Sequence, residues 1–414
     1  MTTIELIAAI LFGLALVHTF ATKTFEKLAD RFPRHAGLFH FFGEVEVVFG
    51  LWALVLIVAM AIVSGGSEAI KYAETRTYTE PLFVFVIMVV AASRPVLEFI
   101  RAVIAAIAKL APLRTEVVRV WLCLALVPLI GSFITEPAAM TLAALMLGPQ
   151  IFRQGIPEWL KYGALGVLFV NVSIGGTLTS FAAPPVLMVA STWGWDSAYM
   201  ATNFGWKAAI AVVINATAVT YMLRTHIASD DPHADKPAAV PLLVSLIHLA
   251  FLAGVVGFAH HPVIFMGLFM FFIGFTKAYE EYQNPLILKE GLLVGFFLAG
   301  LVVLGGMQQW WLQPIVSSLE PTALFLGATA LTAITDNAAL TYLGSLIVGM
   351  SEQAKYMLMA GAVAGGGLTV IANAPNPAGV SLLRDGFADE SIGVGGLLLG
   401  ALLPTCMAML VFLI

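Results

Sequence analysis

The chain has 414 residues, of which 60% are hydrophobic and only 11% are charged, and its mean hydropathy is +0.95. A soluble domain of ordinary composition carries about 25% charged residues, so this composition excludes one and predicts an integral protein of the lipid bilayer. The formal charge of -5 and the lack of a basic tail argue against a nucleic-acid partner, which would require clustered Lys and Arg.

Apolar runs that can cross a membrane follow one another along the chain. The hydrocarbon core of a bilayer takes about 20 helical residues. The candidate runs lie near residues 4–22, 39–63, 82–100, 163–192, 200–223, 239–258, 262–280, 290–306, 356–383 and 392–413. We therefore expect about ten transmembrane helices in an all-α polytopic protein.

Two further apolar regions are interrupted near their middles. Region 119–150 is broken at Thr135-Glu136-Pro137, and region 321–350 is broken at Thr335-Asp336-Asn337. Each limb has about 12 to 16 residues, or about 18 to 24 Å of helix, which is too short for a core about 30 Å thick. Both regions are predicted to be re-entrant hairpins.

The chain also repeats itself. Residues 134–141 align with 334–341 at an offset of 200, and 175–185 align with 365–375 at an offset of 190. We expect a first repeat (1–228), a polar linker (229–238) and a second repeat (239–414). Each repeat would contain three spans, a hairpin, a broken helix (163–192 or 356–383) and a final span. Because each repeat would then cross five times, the second is expected to be inverted relative to the first.

The distribution of basic residues predicts the orientation. If loop 23–36 is cytoplasmic, all Lys and Arg lie on that side except Lys71, Arg76, Lys207 and Lys355. The positive-inside rule favours this arrangement. We expect both termini to be external, the first hairpin to enter from the cytoplasm and the second from outside, in a prokaryotic plasma (inner) membrane.

The hairpin breaks place Glu136 and Asp336 at membrane depth, where a charged group costs at least about 2.5 to 3.5 kcal/mol. One interpretation is that both acids cap short helices. Ser or Asn could cap a helix without burying charge, so the acid in both copies favours an ion-handling role.

The broken helices carry the complementary oxygens. Gly-rich runs followed by prolines interrupt each helix, and the freed backbone carbonyls suit Na⁺ or a similar cation. Side-chain oxygens are available from Thr177 and Thr179 in the first copy and from Thr369 and Asn373 in the second. Close helix packing is the alternative explanation for the glycines.

Glu44 and Glu46 lie two residues apart on an otherwise apolar helix, so they point to different faces. We expect one of them to face a proton path, while the alternative places both near the cytoplasmic headgroups. The two cysteines, Cys123 and Cys406, lie in apolar runs and are expected to be packing residues. No cofactor other than a transported or bound Na⁺ is expected.

These motifs resemble those of the ion transporter superfamily. Asn171-Val172-Ser173-Ile174-Gly175-Gly176-Thr177, running on to Pro184-Pro185, is similar to its broken-helix pattern, and Asn373-Ala374-Pro375-Asn376 is similar to the second copy. The superfamily includes divalent-anion/sodium symporters, arsenite permeases and sodium/proton antiporters. Thr335-Asp336-Asn337 resembles the tip of the D-type sodium/proton antiporters, which makes a sodium/proton antiporter family the nearest resemblance.

The resemblance implies a secondary active transporter, not an enzyme, that exchanges cations for protons. Na⁺ and protons would compete at a site formed by nine residues: Glu136, Asp336, Asn337, Thr135, Thr335, Thr177, Thr179, Thr369 and Asn373. A homodimer is expected. The alternatives are a sodium-coupled carboxylate symporter and an oxyanion exporter, in which the acids would bind only the coupling cation. An intramembrane aspartyl protease is disfavoured because the chain has no Gly-x-Gly-Asp signature.

Overall fold

A computed structural model describes residues 2–227 and 239–414, so the predicted linker 229–238 lies outside the described residues. Across these two ranges the chain forms helices and no strands. The described helices before the linker are α1 (Thr3–Thr19), α2 (Thr22–Arg31), α3 (Ala36–Gly43), α4 (Val45–Ser64), α5 (Gly66–Glu74), α6 (Thr79–Ala91), α7 (Arg94–Leu110), α8 (Thr115–Leu124), α9 (Leu126–Ile134), α10 (Glu136–Ile151), α11 (Glu158–Gly175), α12 (Pro184–Trp193), α13 (Ser197–Met200) and α14 (Trp206–Leu223). Those after it are α15 (Leu242–Gly257), α16 (Pro262–Ala278), α17 (Leu288–Gly305), α18 (Gln309–Val316), α19 (Pro321–Thr332), α20 (Asn337–Ser345), α21 (Glu352–Gly365), α22 (Asn376–Leu383) and α23 (Val394–Phe412).

The apolar helices make this an all-α polytopic membrane protein, as predicted. Within the described residues, four helical segments are long and apolar enough to cross a bilayer alone: Ser197–Leu223, which joins α13 and α14, together with α4, α17 and α23. Two bent helix pairs, α6 with α7 and α8 with α9, raise that number to at most six. Helices α1, α15, α16 and α19 are apolar but shorter, at 10 to 17 residues. By helix length and composition alone, the predicted total of ten is therefore not reached.

Two of the expected spans are divided. Run 82–100 is not one helix, because α6 and α7 meet at an angle of 61°. Ser93 is extended there (ψ 143°), and Pro95 occupies the first turn of α7, where a proline fits without the loss of a helical hydrogen bond. Run 39–63 is likewise interrupted at Glu44 (ψ 121°), between α3 and α4.

The predicted hairpin breaks lie where helices end and begin. Helix α9 ends at Ile134 and α10 begins at Glu136, while α19 ends at Thr332 and α20 begins at Asn337. We call α9 with α10 the first hairpin and α19 with α20 the second hairpin. The first broken helix consists of α11 and α12, and the second consists of α21 and α22.

The hairpins and broken helices interlock across the two halves. The first limb of each hairpin packs against the broken helix of its own half, α9 against α11 and α19 against α21. The second limb packs against the broken helix of the other half, α10 against α22 and α20 against α12. Because each hairpin packs against both broken helices, the tips of both hairpins lie beside the breaks of both helices. The division into two repeats itself stays a prediction.

The two broken helices cross in direct contact. The Ser173 hydroxyl donates to the carbonyl of Val363 at 2.8 Å, and these residues occupy matching positions at the offset of 190. Elsewhere, glycines allow close helix approach: a side chain at Gly300 would collide with the backbone of Gly50, and one at Gly166 with the backbone of Gly400. Such small residues allow helices in a membrane to pack at short distance.

Candidate functional site

Glu136 is completely buried at the start of α10. Its Oε2 accepts a hydrogen bond from Asn373 Nδ2 at 2.8 Å, so the first hairpin contacts the second broken helix. Its Oε1 has no hydrogen-bond partner among the described residues. A buried carboxylate oxygen without a donor is costly, which marks this position as a place where a proton or a cation would bind.

Further buried oxygens around this carboxylate are also unpartnered. The amides of Asn337, Asn373 and Asn376 are each at most 1% exposed. In the part of the chain that the structure describes, their Oδ1 atoms accept no hydrogen bond, and neither does Thr135 Oγ1. These oxygens come from both hairpin tips and from the second broken helix. Carboxylate, amide and hydroxyl oxygens are hard ligands of the kind that coordinate Na⁺ at broken helices.

The free oxygen of Glu136 lies against a bare glycine. A side chain at Gly176, at the break of the first broken helix, would collide with Glu136 Oε1. Gly366 occupies the matching place in the second broken helix, where a side chain would collide with Ser173 Oγ and approach Asn337 Nδ2 to 2.9 Å. At both breaks, the absence of a side chain leaves room for a polar group of the hairpin in the same half, and at Gly366 also for Ser173 of the other broken helix. The same glycines therefore allow both close helix packing and a polar site.

Thr135, immediately before Glu136, has φ 77° and ψ 150°. This combination is essentially a glycine conformation, and for a β-branched residue it costs about 1 to 3 kcal/mol. Such strain is retained where the surrounding structure fixes it, often at functional sites. The strained peptide directs Glu136 inward at the beginning of α10.

Asp336 differs from Glu136 in its contacts. It is the N-cap of α20, and its Oδ1 accepts hydrogen bonds from the backbone N–H groups of Ala338 at 2.8 Å and Ala339 at 3.1 Å. The capping interpretation therefore holds for Asp336. It does not hold for Glu136, because Glu136 is the first residue of α10, and Thr135 occupies the cap position without a side-chain cap hydrogen bond. Asp336 is half-buried and lies within electrostatic range of Glu136.

Asn337 is the second cross-contact between the halves. Its Nδ2 lies 3.5 Å from Ser173 Oγ on the first broken helix. Thus Glu136 of the first hairpin meets the second broken helix, and Asn337 of the second hairpin meets the first. The structure brings Glu136, Asn337, Asn373 and the two helix breaks into one polar region.

The four remaining threonines from the sequence prediction donate their hydroxyl protons to backbone carbonyls. Thr179 binds Ser132 O at 2.6 Å, and Thr369 binds Ala333 O at 2.8 Å, so each fastens a helix break to the hairpin of its own half. Thr177 binds Ile174 O at 2.7 Å, and Thr335 binds Leu331 O at 2.9 Å. These bonds leave the oxygen lone pairs available, so their role as ion ligands stays a prediction.

Glu44 and Glu46 have different neighbours. Glu44 Oε1 forms an ion pair with Lys289 Nζ at 2.9 Å, at the beginning of α17. Glu46 is half-buried and lies within electrostatic range of Asp336. Of the two acids, Glu44 is paired with Lys289, and Glu46 is the one that interacts electrostatically with Asp336.

Three residues of this region were absent from the predicted set. Ser173 and Asn376 contact the helix breaks directly, and Asn376 Nδ2 donates to the carbonyls of Gly366 and Thr369, each at 2.8 Å. Gly176 makes room for Glu136 Oε1. All three lie inside the broken-helix motifs, so the motifs contained the signal, but the contact partners depend on the crossing of the two halves.

Apolar helices around a buried, partly unsatisfied polar region define a polytopic membrane transporter. A family model described as "Putative Na+/H+ antiporter" matches residues 3–414, so the chain belongs to this family of antiporters, which is a transporter family. Among solved structures, the chain is similar to the YdaH transporter of Alcanivorax borkumensis, whose topology is described as unusual. The identity is 15%, the alignment covers 89% of this chain and 96% of that chain, and the TM-score is 0.46. No curated protein matches this chain.

Proposed function

We propose that this protein exchanges Na⁺ for protons at a site centred on Glu136. One observation carries the proposal: a fully buried carboxylate has one oxygen held by Asn373 and the other without a partner in the described chain. A charge at this depth requires compensation, and either a cation or a proton on the free oxygen supplies it. Membership of a family described as "Putative Na+/H+ antiporter" supports cation/proton antiport.

In the Na⁺-loaded state, Glu136 supplies the negative charge, and neutral oxygens complete the ligand shell. The candidates nearest in the contact network are Asn373 Oδ1 and Thr135 Oγ1, with Asn337 Oδ1 from the second tip. In the proton-loaded state, the O–H bond replaces the cation on the same carboxylate. Because one oxygen cannot hold both ions, binding of Na⁺ expels the proton, and the two ions exchange by competition.

The residues around the site have supporting roles. Asp336 fixes the start of α20 and adds negative charge near the site, while Thr179 and Thr369 hold each helix break against its own hairpin. Thr177 and Thr335 would add ligand oxygens. Glu46, which lies within electrostatic range of Asp336, is proposed to receive protons on the way to the site, with the Glu44–Lys289 ion pair beside it.

The movement that gives alternating access is proposed to separate two bodies. One is the hairpins with the broken helices. The other is a scaffold in which α4 packs on α17 through Gly50 and Gly300, and α6 packs on α17 through Phe85 and Gly295. We also propose a homodimer in a prokaryotic inner membrane with both termini external, following the positive-inside distribution.

Purified protein in proteoliposomes tests the function. The proteoliposomes are prepared with an acidic interior, and a pH-sensitive dye reports the resulting pH gradient. Na⁺ or Li⁺ is then added outside. The expected result is that either cation collapses the gradient in the wild type and does not do so in Glu136→Gln. If neither cation acts on the wild type, or if Glu136→Gln exchanges as fast as the wild type, the proposal is wrong.

A further inference from the structure

The acids of the two hairpin tips differ in whether a carboxylate oxygen is open to an ion. This difference affects how much charge crosses the membrane in each cycle. Glu136 is fully buried with a free oxygen, and its hydrogen-bond partner is the neutral amide of Asn373. Asp336 is half-buried, and Oδ1 is committed to two backbone N–H groups of α20. The first arrangement leaves a carboxylate oxygen open to an ion, whereas in the second Oδ1 already holds the first turn of α20.

We infer that the site contains a single exchanging carboxylate, so that one Na⁺ is exchanged for one proton and no net charge is moved. This inference rests on the proposed function and adds its stoichiometry. The step balances: the O–H bond of the Glu136 carboxyl group breaks, the proton leaves to the water on the open side, and the carboxylate oxygen binds one Na⁺. On the opposite side, one Na⁺ leaves and one proton returns.

The polar groups next to Glu136 favour an exchange of one Na⁺ for one proton. Asn373, which binds Glu136, and Asn337 at the second tip are neutral amides, and the acid of the second tip, Asp336, has Oδ1 committed to its helix cap. The site therefore has the same charge when it holds Na⁺ as when it holds a proton, so the membrane potential does not shift the equilibrium of the complete cycle. A site with two exchanging carboxylates would instead take up two protons for one Na⁺ and would feel the potential, at about 2.3 kcal/mol per charge for each 100 mV.

A balance-point measurement in proteoliposomes tests the inference. The membrane potential is held at zero with K⁺ and valinomycin, a tenfold Na⁺ gradient is set, and the pH difference at which the dye reports no net proton flux is found. One-for-one exchange balances at about one pH unit, and two-for-one exchange balances at about half a unit. The balance point does not depend on how much of the protein is active, so poorly folding variants remain informative.

The wild type is expected to balance at one pH unit, and this balance point should not move when the potential is set negative inside. Asp336→Asn keeps a capping side chain and should balance at the same pH difference, even if it is slower. Asn373→Asp adds a second carboxylate beside Glu136 and should move the balance point towards half a unit.

Balance at half a unit in the wild type, or a shift caused by Asp336→Asn, overturns the stoichiometry while leaving antiport intact. A complete lack of exchange overturns the proposed function instead.

Discussion

The two hairpin tips are related in sequence but differ in what their acids do. At the first tip, a strained Thr135 is followed by Glu136 and then Pro137, and the carboxylate points into the buried polar region. At the second tip, Asp336 folds back onto the N-terminus of its own helix and Asn337 points inward instead. The residue after the acid also differs between the tips: it is Pro137 at the first tip, whereas at the second tip Asn337 supplies an amide that lies 3.5 Å from Ser173 Oγ. Under the proposed function, the two copies of one motif divide ion binding and structural support between them.

The largest effect that separates the tips is expected for Glu136→Gln. The variant keeps the shape of the side chain and removes the charge that both ions neutralise, and contacts to charged groups are worth about 1.5 to 3 kcal/mol, so exchange should fall by about 100-fold or more, to the limit of the dye assay. Asp336→Asn, the matched change at the other tip, should retain measurable exchange. The comparison is made from initial rates of dye recovery after addition of Na⁺. Equal losses in both variants would show that the tips are functionally equivalent.

A second test removes the space beside Glu136 rather than its charge. In Gly176→Ala, the added methyl group collides with Oε1, so we expect the apparent affinity for Na⁺ to fall by about tenfold, or about 1.4 kcal/mol. Gly163→Ala lies in the same helix with no atom within 4 Å of the added methyl group, and it serves as the control. The Na⁺ concentration for half-maximal exchange is measured for both. An unchanged value in Gly176→Ala would mean that Oε1 does not bind the ion.

The capping role of Asp336 predicts an effect on stability. Asp336→Ala leaves the N–H groups of Ala338 and Ala339 without their acceptor, which should lower the free energy of unfolding by about 1 kcal/mol. Asp336→Asn should preserve most of that stability. Thermal unfolding in detergent compares the two variants. If both are as stable as the wild type, the cap hydrogen bonds do not contribute to stability.

The smallest effects are expected at the threonines that fasten each break to its own hairpin. Thr179→Val and Thr369→Val each remove one hydroxyl that donates to a backbone carbonyl, and each should lower the free energy of unfolding by about 0.5 to 1.5 kcal/mol. Because the contacts correspond, the two values should be similar. A large loss of exchange in only one variant would instead assign that hydroxyl to the ion.

Much of this arrangement could be predicted from local sequence. The breaks at Thr135 and Asp336 could be predicted because polar residues that favour a helix start interrupt an apolar run. The glycine runs likewise predict where α11 and α21 end. The division of run 82–100 was missed, although Ser93 and Pro95 form an ordinary helix start. The cross-contacts of Glu136 with Asn373, and of Asn337 with Ser173, join residues 237 and 164 positions apart, and local patterns contain no information on such pairs.

The different environments of Glu136 and Asp336 could not be predicted from the sequence either. Glu136 and Asp336 align exactly at the offset of 200, and the alignment led to the expectation that both bind the ion. What separates them is a one-residue difference in where the following helix starts, since Glu136 is the first residue inside its helix and Asp336 is the cap outside. Helix boundaries at this precision depend on tertiary packing.

The hydrogen bond from Ser173 to Val363 joins counterparts, much as a residue on the twofold axis of a symmetric dimer meets its own copy. A bulkier residue at position 173 would press on the neighbourhood of Gly366 and Asn337 as well as on its own helix, so a single change there reaches the machinery of both halves. For the same reason, a larger side chain on one side of this crossing would require a smaller one on the other side.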